Sequence, residues 1–156
     1  MGKRNKSSDA NPSHSGVIAY RIRENVSEVL LVTSTGSGRW VIPKGHILEV
    51  VGGRESARRE AFEEAGLEGE VELEPFHRYT HGDDDAVVDV YLMRVTREFE
   101  SWPEEDVRER RWVPLAEADS FVEDDGLSKM FRKVANARLD PRRKTKKVDR
   151  RGEAPR

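Results

Sequence analysis

The stretch from Arg59 to Gly66 sets the strictest limit on how this chain can fold. Ala57, Ala61 and Ala65 recur at i, i+4 and i+8 with Phe62 beside them, so residues 55–65 make one apolar helical stripe. Gly66 supplies the stop signal directly after it. Glu60, Glu63 and Glu64, at i, i+3 and i+4, share a neighbouring face. Three carboxylates held together repel one another, and a divalent cation bound between them removes that cost. Hard oxygen donors select Mg2+, Ca2+ or Mn2+ over zinc or copper. The plainer alternative is a solvated acidic face with Arg59–Glu63 as an ordinary i, i+4 ion pair. On the helix alone that alternative is preferred.

The segments around this helix read as strands. Gly16–Ile22 and Glu28–Ser34 are apolar and β-branched, with residues 23–27 as a hairpin loop. Residues 35–38 form a turn, and Trp40–Ile42 is a short strand stopped by Pro43 and Gly45. Residues 46–54, with Gly52 and Gly53, are expected to be loop. Glu68–Tyr79 and Ala86–Arg97 are two further strands, joined by a turn at His81–Asp85. Arg110–Val113 is a short strand ended by Pro114. Leu127–Leu139 is a second helix, carrying Met130, Phe131, Val134 and Leu139 and ended by Asp140 and Pro141. The order of these elements predicts an α/β fold, a mixed sheet with helices on its faces.

The chain is 156 residues long, enough for one domain, and contains no cysteine. That excludes a disulfide scaffold, a Cys-ligated zinc site and a thiol nucleophile. No apolar run approaches the roughly 18 residues of a membrane span, and the N-terminus has no apolar signal core, so a cytoplasmic protein is expected. The formal charge of −2 hides a partition. Residues 132–156 carry eleven Lys/Arg against three Asp/Glu, and residues 1–14 carry three against one, which leaves −12 on residues 15–131. The expected organisation is a disordered leader over 1–14, a folded domain over 15–139 and a basic disordered tail over 140–156. Such a tail could bind RNA or another polyanion. It has no aromatic residue to stack on bases, so a solvated extension is the slightly preferred reading.

What precedes the helix changes the balance at the carboxylates. Trp40-Val-Ile-Pro-Lys-Gly-His46 feeds a glycine-containing loop that leads straight into it. These residues resemble the Nudix box, G-x5-E-x7-R-E-U-x-E-E-x-G-U, where U is a bulky aliphatic residue. Gly45 takes the first position, and Arg59, Glu60, Glu63, Glu64, Gly66 and Leu67 match at the required spacing, with Ala61 at the first U. Val51 stands where the pattern asks for Glu. Glu28–Ser34, Arg39–Gly45, Glu100–Glu104 and Arg110–Pro114 further resemble the diadenosine and diphosphoinositol polyphosphate phosphohydrolase branch. The resemblance covers roughly residues 15–135.

It implies a Nudix-type α/β/α sandwich and Mg2+-dependent cleavage of a phosphoanhydride in a nucleoside diphosphate linked to another group, with Mn2+ as a substitute ion. It places metal ligands at Glu60, Glu63 and Glu64, and a proton acceptor at Glu63 or Glu64, between which the sequence does not choose. Arg59 is a partner that orients a glutamate. Arg39 and Lys44 are placed to hold phosphate. Gly45 and His46 are placed to approach the diphosphate, with an ordinary polar loop residue an equal reading of His46. Glu49 is weighed as a substitute for the absent Glu at position 51. His77 and His81 are read as strand-end residues, and Trp40 as core. The matching region of the diphosphoinositol enzymes is basic, whereas Asp83, Asp84 and Asp85 here repel an anionic inositol ring. A dinucleoside polyphosphate is therefore preferred. The alternatives are an RNA 5′ end, a diphosphoinositol polyphosphate, and a catalytically weak sensor or regulator.

Overall fold

The computed structural model describes residues 11–82, 85–137 and 139. Among the described residues eight strands form one mixed sheet: β1 His14–Arg23, β2 Val26–Thr33, β3 Trp40–Val41, β4 Lys44–His46, β5 Leu67–Val71, β6 His77–Thr80, β7 Val87–Glu98 and β8 Arg110–Pro114. The main order is β3-β2-β1-β7-β5, with β4 also on β1, β6 on β7 and β8 on β2. Strands β1 and β7 run parallel and the other pairs antiparallel. Among the described residues three α-helices accompany the sheet, α1 Gly52–Ala65, the single turn α2 Ala118–Phe121 and α3 Asp125–Asn136, with a 3-10 turn at Leu115–Glu117.

The centre of β1 is an unbroken apolar run because both of its faces are covered. Val17 and Ala19 join one buried cluster with Ala57, Ala61, Ala65 and Met93, on the α1 side. Ile18 and Tyr20 join the opposite cluster with Leu127, Met130, Phe131 and Val134 of α3. A strand buried on both sides loses the polar alternation of a solvated sheet. The result is the α/β/α sandwich expected from the sequence. No helix among the described residues is long and apolar enough to cross a membrane.

Four local features differ from the sequence expectation, each for a tertiary reason. Helix α1 begins at Gly52, inside the expected loop, because the Arg54 side chain donates to the carbonyls of Val71 and Glu72 and pins the first turn. Residues 44–46 are a strand, paired with the start of β1. The expected strand 68–79 is two strands separated by residues 72–76, where Pro75 lacks an N–H, and the twelve residues of β7 pair with both. Helix α3 starts at Asp125, where the Asp124 carboxylate accepts from the Leu127 N–H as an N-cap, and it ends at Asn136. Of the leader expected over 1–14, residues 1–10 lie outside the described residues, as do the expected stop at Asp140–Pro141 and the basic tail over 140–156, whereas Ser13 bonds to Val87 and Ile47 and His14 opens β1.

Candidate active site

Helix α1 ends against β5 through Gly66, whose φ of 69° is the left-handed conformation of a helix stop. The space beside Gly66 is filled by Trp102 and the Arg110 guanidinium, so a side chain could not be added there. The Trp102 indole N–H donates to the Glu64 carbonyl and Arg110 donates to the Ala65 carbonyl, which satisfies the last turn of α1. The loop after β7 and the first residue of β8 thereby fix the end of the helix that carries the carboxylates.

The three glutamates share a face but not an environment. Glu64 is buried, Glu60 is half-buried and Glu63 is exposed. One Glu64 oxygen accepts from the Lys44 backbone N–H at 3.2 Å, and the other lies 3.1 Å from the Arg108 guanidinium. Burial pushes the Glu64 carboxyl up to about 8, with Arg108 opposing the rise and Glu60 adding to it. Burial also raises Glu60, as does the charge of Glu63, while a hydrogen bond with Glu64 holds it back. Gly45 sits directly against the Glu60 carboxyl, and a Cβ at that position would collide with it. The glycine keeps β4 close enough for its neighbour Lys44 to reach Glu64.

Arg108 is the residue that sequence reasoning did not single out. Its side chain is only 12% exposed and bonds three ways: to Glu64, to Glu104 at 2.7 Å and to the Thr33 carbonyl at 2.9 Å. The available signal was the i, i+4 spacing of Glu104 and Arg108, but these residues lie in a loop, where that spacing carries no periodic meaning. Arg59 lies elsewhere. It is exposed and pairs with Glu55, whose carboxyl Arg58 and Arg59 together hold down at about 2. The expected Arg59–Glu63 pair is replaced by this one.

A cleft of about 570 Å3 opens beside Glu64. Arg39, Lys44 and Arg108 line it, with Trp40 and His81 in its walls and Glu123, Asp124 and Asp125 at its far rim. Trp40 also packs on the α3-side core, as its core reading requires. His81, read as a strand end, faces the cleft. His46 is exposed and stacks on His14 with ring centroids 4.2 Å apart, away from the cleft lining. Glu49 and Val51 fall in the turn before α1, with Val51 at its N-cap. His77 is half-buried on β6, and burial lowers its pKa. Among the described residues, no three His, Cys, Asp or Glu side chains converge into a formed cation cage. Glu60 and Glu64 nonetheless supply adjoining hard oxygen donors whose charge is costly without a counter-ion, which suits a divalent cation such as Mg2+.

Residues 12–134 match the family model of the NUDIX domain. The chain belongs to the Nudix family of hydrolases. Among its relatives in Arabidopsis thaliana, Nudix hydrolase 12, mitochondrial, is 29% identical over 152 residues, which cover 83% of this chain and 75% of that protein. Nudix hydrolase 4 is 35% identical over 114 residues, 66% of this chain and 55% of the relative. The Nudix chain thus spans from just over half to three quarters of these relatives. In fold it is similar to a Caenorhabditis elegans Ap4A hydrolase binary complex, with a TM-score of 0.69 at 19% identity over 80% of this chain and 96% of that one. It is also similar to the Nudix hydrolase RenU of M. smegmatis, with a TM-score of 0.63 at 16% identity over 81% and 84% of the two chains.

Proposed function

We propose that this Nudix protein hydrolyses a phosphoanhydride in a nucleoside diphosphate-X substrate, preferentially a dinucleoside polyphosphate, with Mg2+ or Mn2+ as its cation. The observation that carries this reading is the meeting of Glu60 and Glu64 beside a cleft that Arg39, Lys44 and Arg108 line. A bound divalent cation there supplies charge neutralisation of the phosphoryl oxygens and an acidified water. The protein's own groups do the rest. The Lys44 ammonium, which has no ion pair among the described residues, faces the phosphates. Arg108 holds Glu64 in one orientation and faces the same cleft, where charge spreads over the transferred group. Glu63, exposed at the edge of the carboxylate set, is the group free to accept a proton, while Glu60 and Glu64 hold the cation. Arg59 orients Glu55, and the roles of Gly45 and Lys44 are to bring β4 against α1.

Phosphate release from a panel of dinucleoside polyphosphates, nucleoside diphosphate sugars, RNA 5′ ends and diphosphoinositol polyphosphates, with and without Mg2+, tests this reading. Mg2+-dependent turnover that is fastest on a dinucleoside polyphosphate is the expected result. No turnover on any member sinks it. A second reading, a Nudix fold that binds its ligand as a sensor, is favoured by Val51 at the box position. Tight nucleotide binding without turnover distinguishes it. A cytoplasmic location is part of the first reading and is tested by fractionation, since relatives such as Nudix hydrolase 12 are named mitochondrial.

A further inference from the structure

Glu63 and Glu64 stand in the last turn of α1, just before its final residue Ala65. A helix leaves its last four carbonyls without partners of its own, and such an end frays unless other groups supply donors. Here one connection supplies them. Residues 99–110, which follow β7 and include the first residue of β8, donate to three consecutive carbonyls: the Glu104 N–H to Glu63 at 3.0 Å, the Trp102 indole N–H to Glu64 at 2.9 Å and the Arg110 guanidinium to Ala65 at 2.7 Å. The Phe99 N–H adds a bond to the Gly66 carbonyl at 2.8 Å. The same connection reaches the Glu64 side chain, through the Arg108 guanidinium at 3.1 Å. Glu64 is thus held at its main chain by Trp102 and at its carboxylate by Arg108.

Trp102 is itself fixed from several sides. The Arg110 guanidinium lies 3.9 Å from its ring centroid, its side chain fills the space beside Gly66, and its backbone N–H donates to the Glu105 carboxylate at 2.9 Å. A ring held in this way presents its N–H at one point. Reacting groups must stay within about 0.5 Å of the productive geometry, and a misplacement of about 1 Å costs on the order of a hundredfold in rate. We infer that Trp102 is a positioning residue: its indole N–H, bonded to the Glu64 carbonyl, sets the place of Glu63 and Glu64 against Arg108, and with it the cation affinity and turnover of the site. The assignment rests on the phosphoanhydride reading of the cleft. Trp102 is not part of the cleft lining, so it acts through α1 and not on the substrate. Arg110 divides its guanidinium among Ala65, Phe99 and Glu98, and the Glu104 donor is main chain, so the Trp102 bond is the one that a single substitution removes cleanly.

The test compares wild type with two changes at this position. Trp102→Phe keeps a ring for Arg110 and loses the donor, and 3-benzothienylalanine incorporated at position 102 keeps both rings and puts sulfur in place of the N–H. Where Trp102→Phe does not fold, the isostere decides. Val134→Ala, in the core on the α3 side of the sheet, is the control for a general loss of stability. Two quantities are measured: Mn2+ binding to substrate-free protein by electron paramagnetic resonance, and kcat and KM with Mg2+ on the best substrate of the panel. Both changes at 102 should weaken Mn2+ binding at least about fivefold and lower kcat at least about tenfold, with KM held within about threefold. Val134→Ala should lower the melting temperature while moving Mn2+ binding and kcat by less than about twofold. Wild-type values in the two changes at 102, losses of equal size in Val134→Ala, or a wild-type protein that binds no Mn2+ would each overturn the assignment. Absence of wild-type turnover on every substrate would instead overturn the proposed reaction, and Mn2+ binding then decides the role of Trp102 alone.

Discussion

Glu64 makes the stability of metal-free protein depend on pH in a direction that its surroundings dictate. Its carboxyl moves from an ordinary 4.5 to about 8 on folding, with burial as the main cause. Between those values the folded protein keeps a proton that the unfolded chain has released. The slope of stability with pH follows the protons bound by the unfolded state minus those bound by the native state, which is negative here. Stability is therefore unpenalised below about pH 4.5, falls as pH rises, and levels off above about 8. At about 1.4 kcal/mol per pH unit, the full penalty has a ceiling near 5 kcal/mol, shared with Glu60, because the two carboxyls titrate together. His77 acts in the opposite sense. Burial lowers its pKa, so it costs stability only as pH falls below about 6.5. Urea unfolding of metal-free wild type and Glu64→Gln across neutral pH separates the two, since the histidine term cancels in the difference. The wild-type advantage should decline by a few kcal/mol between about pH 5 and 8, and saturating Mg2+ should restore most of it by favouring the ionised carboxylates. A wild-type stability that is flat or rising relative to Glu64→Gln would refute both the burial argument and the assignment of this carboxyl to a cation.

Arg108→Ala leaves Glu64 and Glu104 without their shared cation in a poorly solvated place and should cost about 3 kcal/mol in urea unfolding, with Arg108→Lys recovering part of it. Glu63→Gln should abolish most turnover while leaving the fold intact by circular dichroism, and full activity at saturating Mg2+ would remove Glu63 from the site. Val51→Glu should change Mg2+ affinity only modestly in an activity titration. A hundredfold gain in turnover, about 2.7 kcal/mol of barrier, would show that the natural site is degenerate and favour the sensor reading. Deletion of residues 141–156, which removes eight Lys/Arg and two Asp/Glu, should leave dinucleotide turnover and melting temperature unchanged, while any RNA binding loses most of its salt dependence.

The helix and its carboxylates were legible because their evidence is local: periodicity, a stop glycine and the box spacing all lie within one segment. The role of Arg108 was not, since its partners Glu64 and Thr33 lie 44 and 75 residues away in sequence and are brought to it by the sheet. The extra turn of α1 escaped notice for the same reason, because Arg54 finds its acceptors on β5 and just beyond it. His46 was read by its closeness to the box glycine, but it sits beside His14, its register partner on β1, while Lys44 lines the cleft.

The ranking of the three glutamates follows from helix geometry alone. At about 100° per residue, and taking Glu60 as the origin, the stripe of Ala57, Ala61 and Ala65 lies at roughly 60°, 100° and 140°. Glu64 then falls near 40°, against the edge of the stripe, and Glu63 near −60°, on the far side. A helix that buries its stripe against a sheet must bury Glu64 most, Glu60 next and Glu63 least, which is the observed order. The i, i+3, i+4 spacing therefore does more than collect three charges. It grades them, placing one carboxyl deep against the sheet, one beside it and one at the surface. Under the reaction proposed above, two adjoining ligands and one exposed base are the division of labour that cation-assisted attack of water requires, and the apolar stripe beside them sets which glutamate is placed for which part.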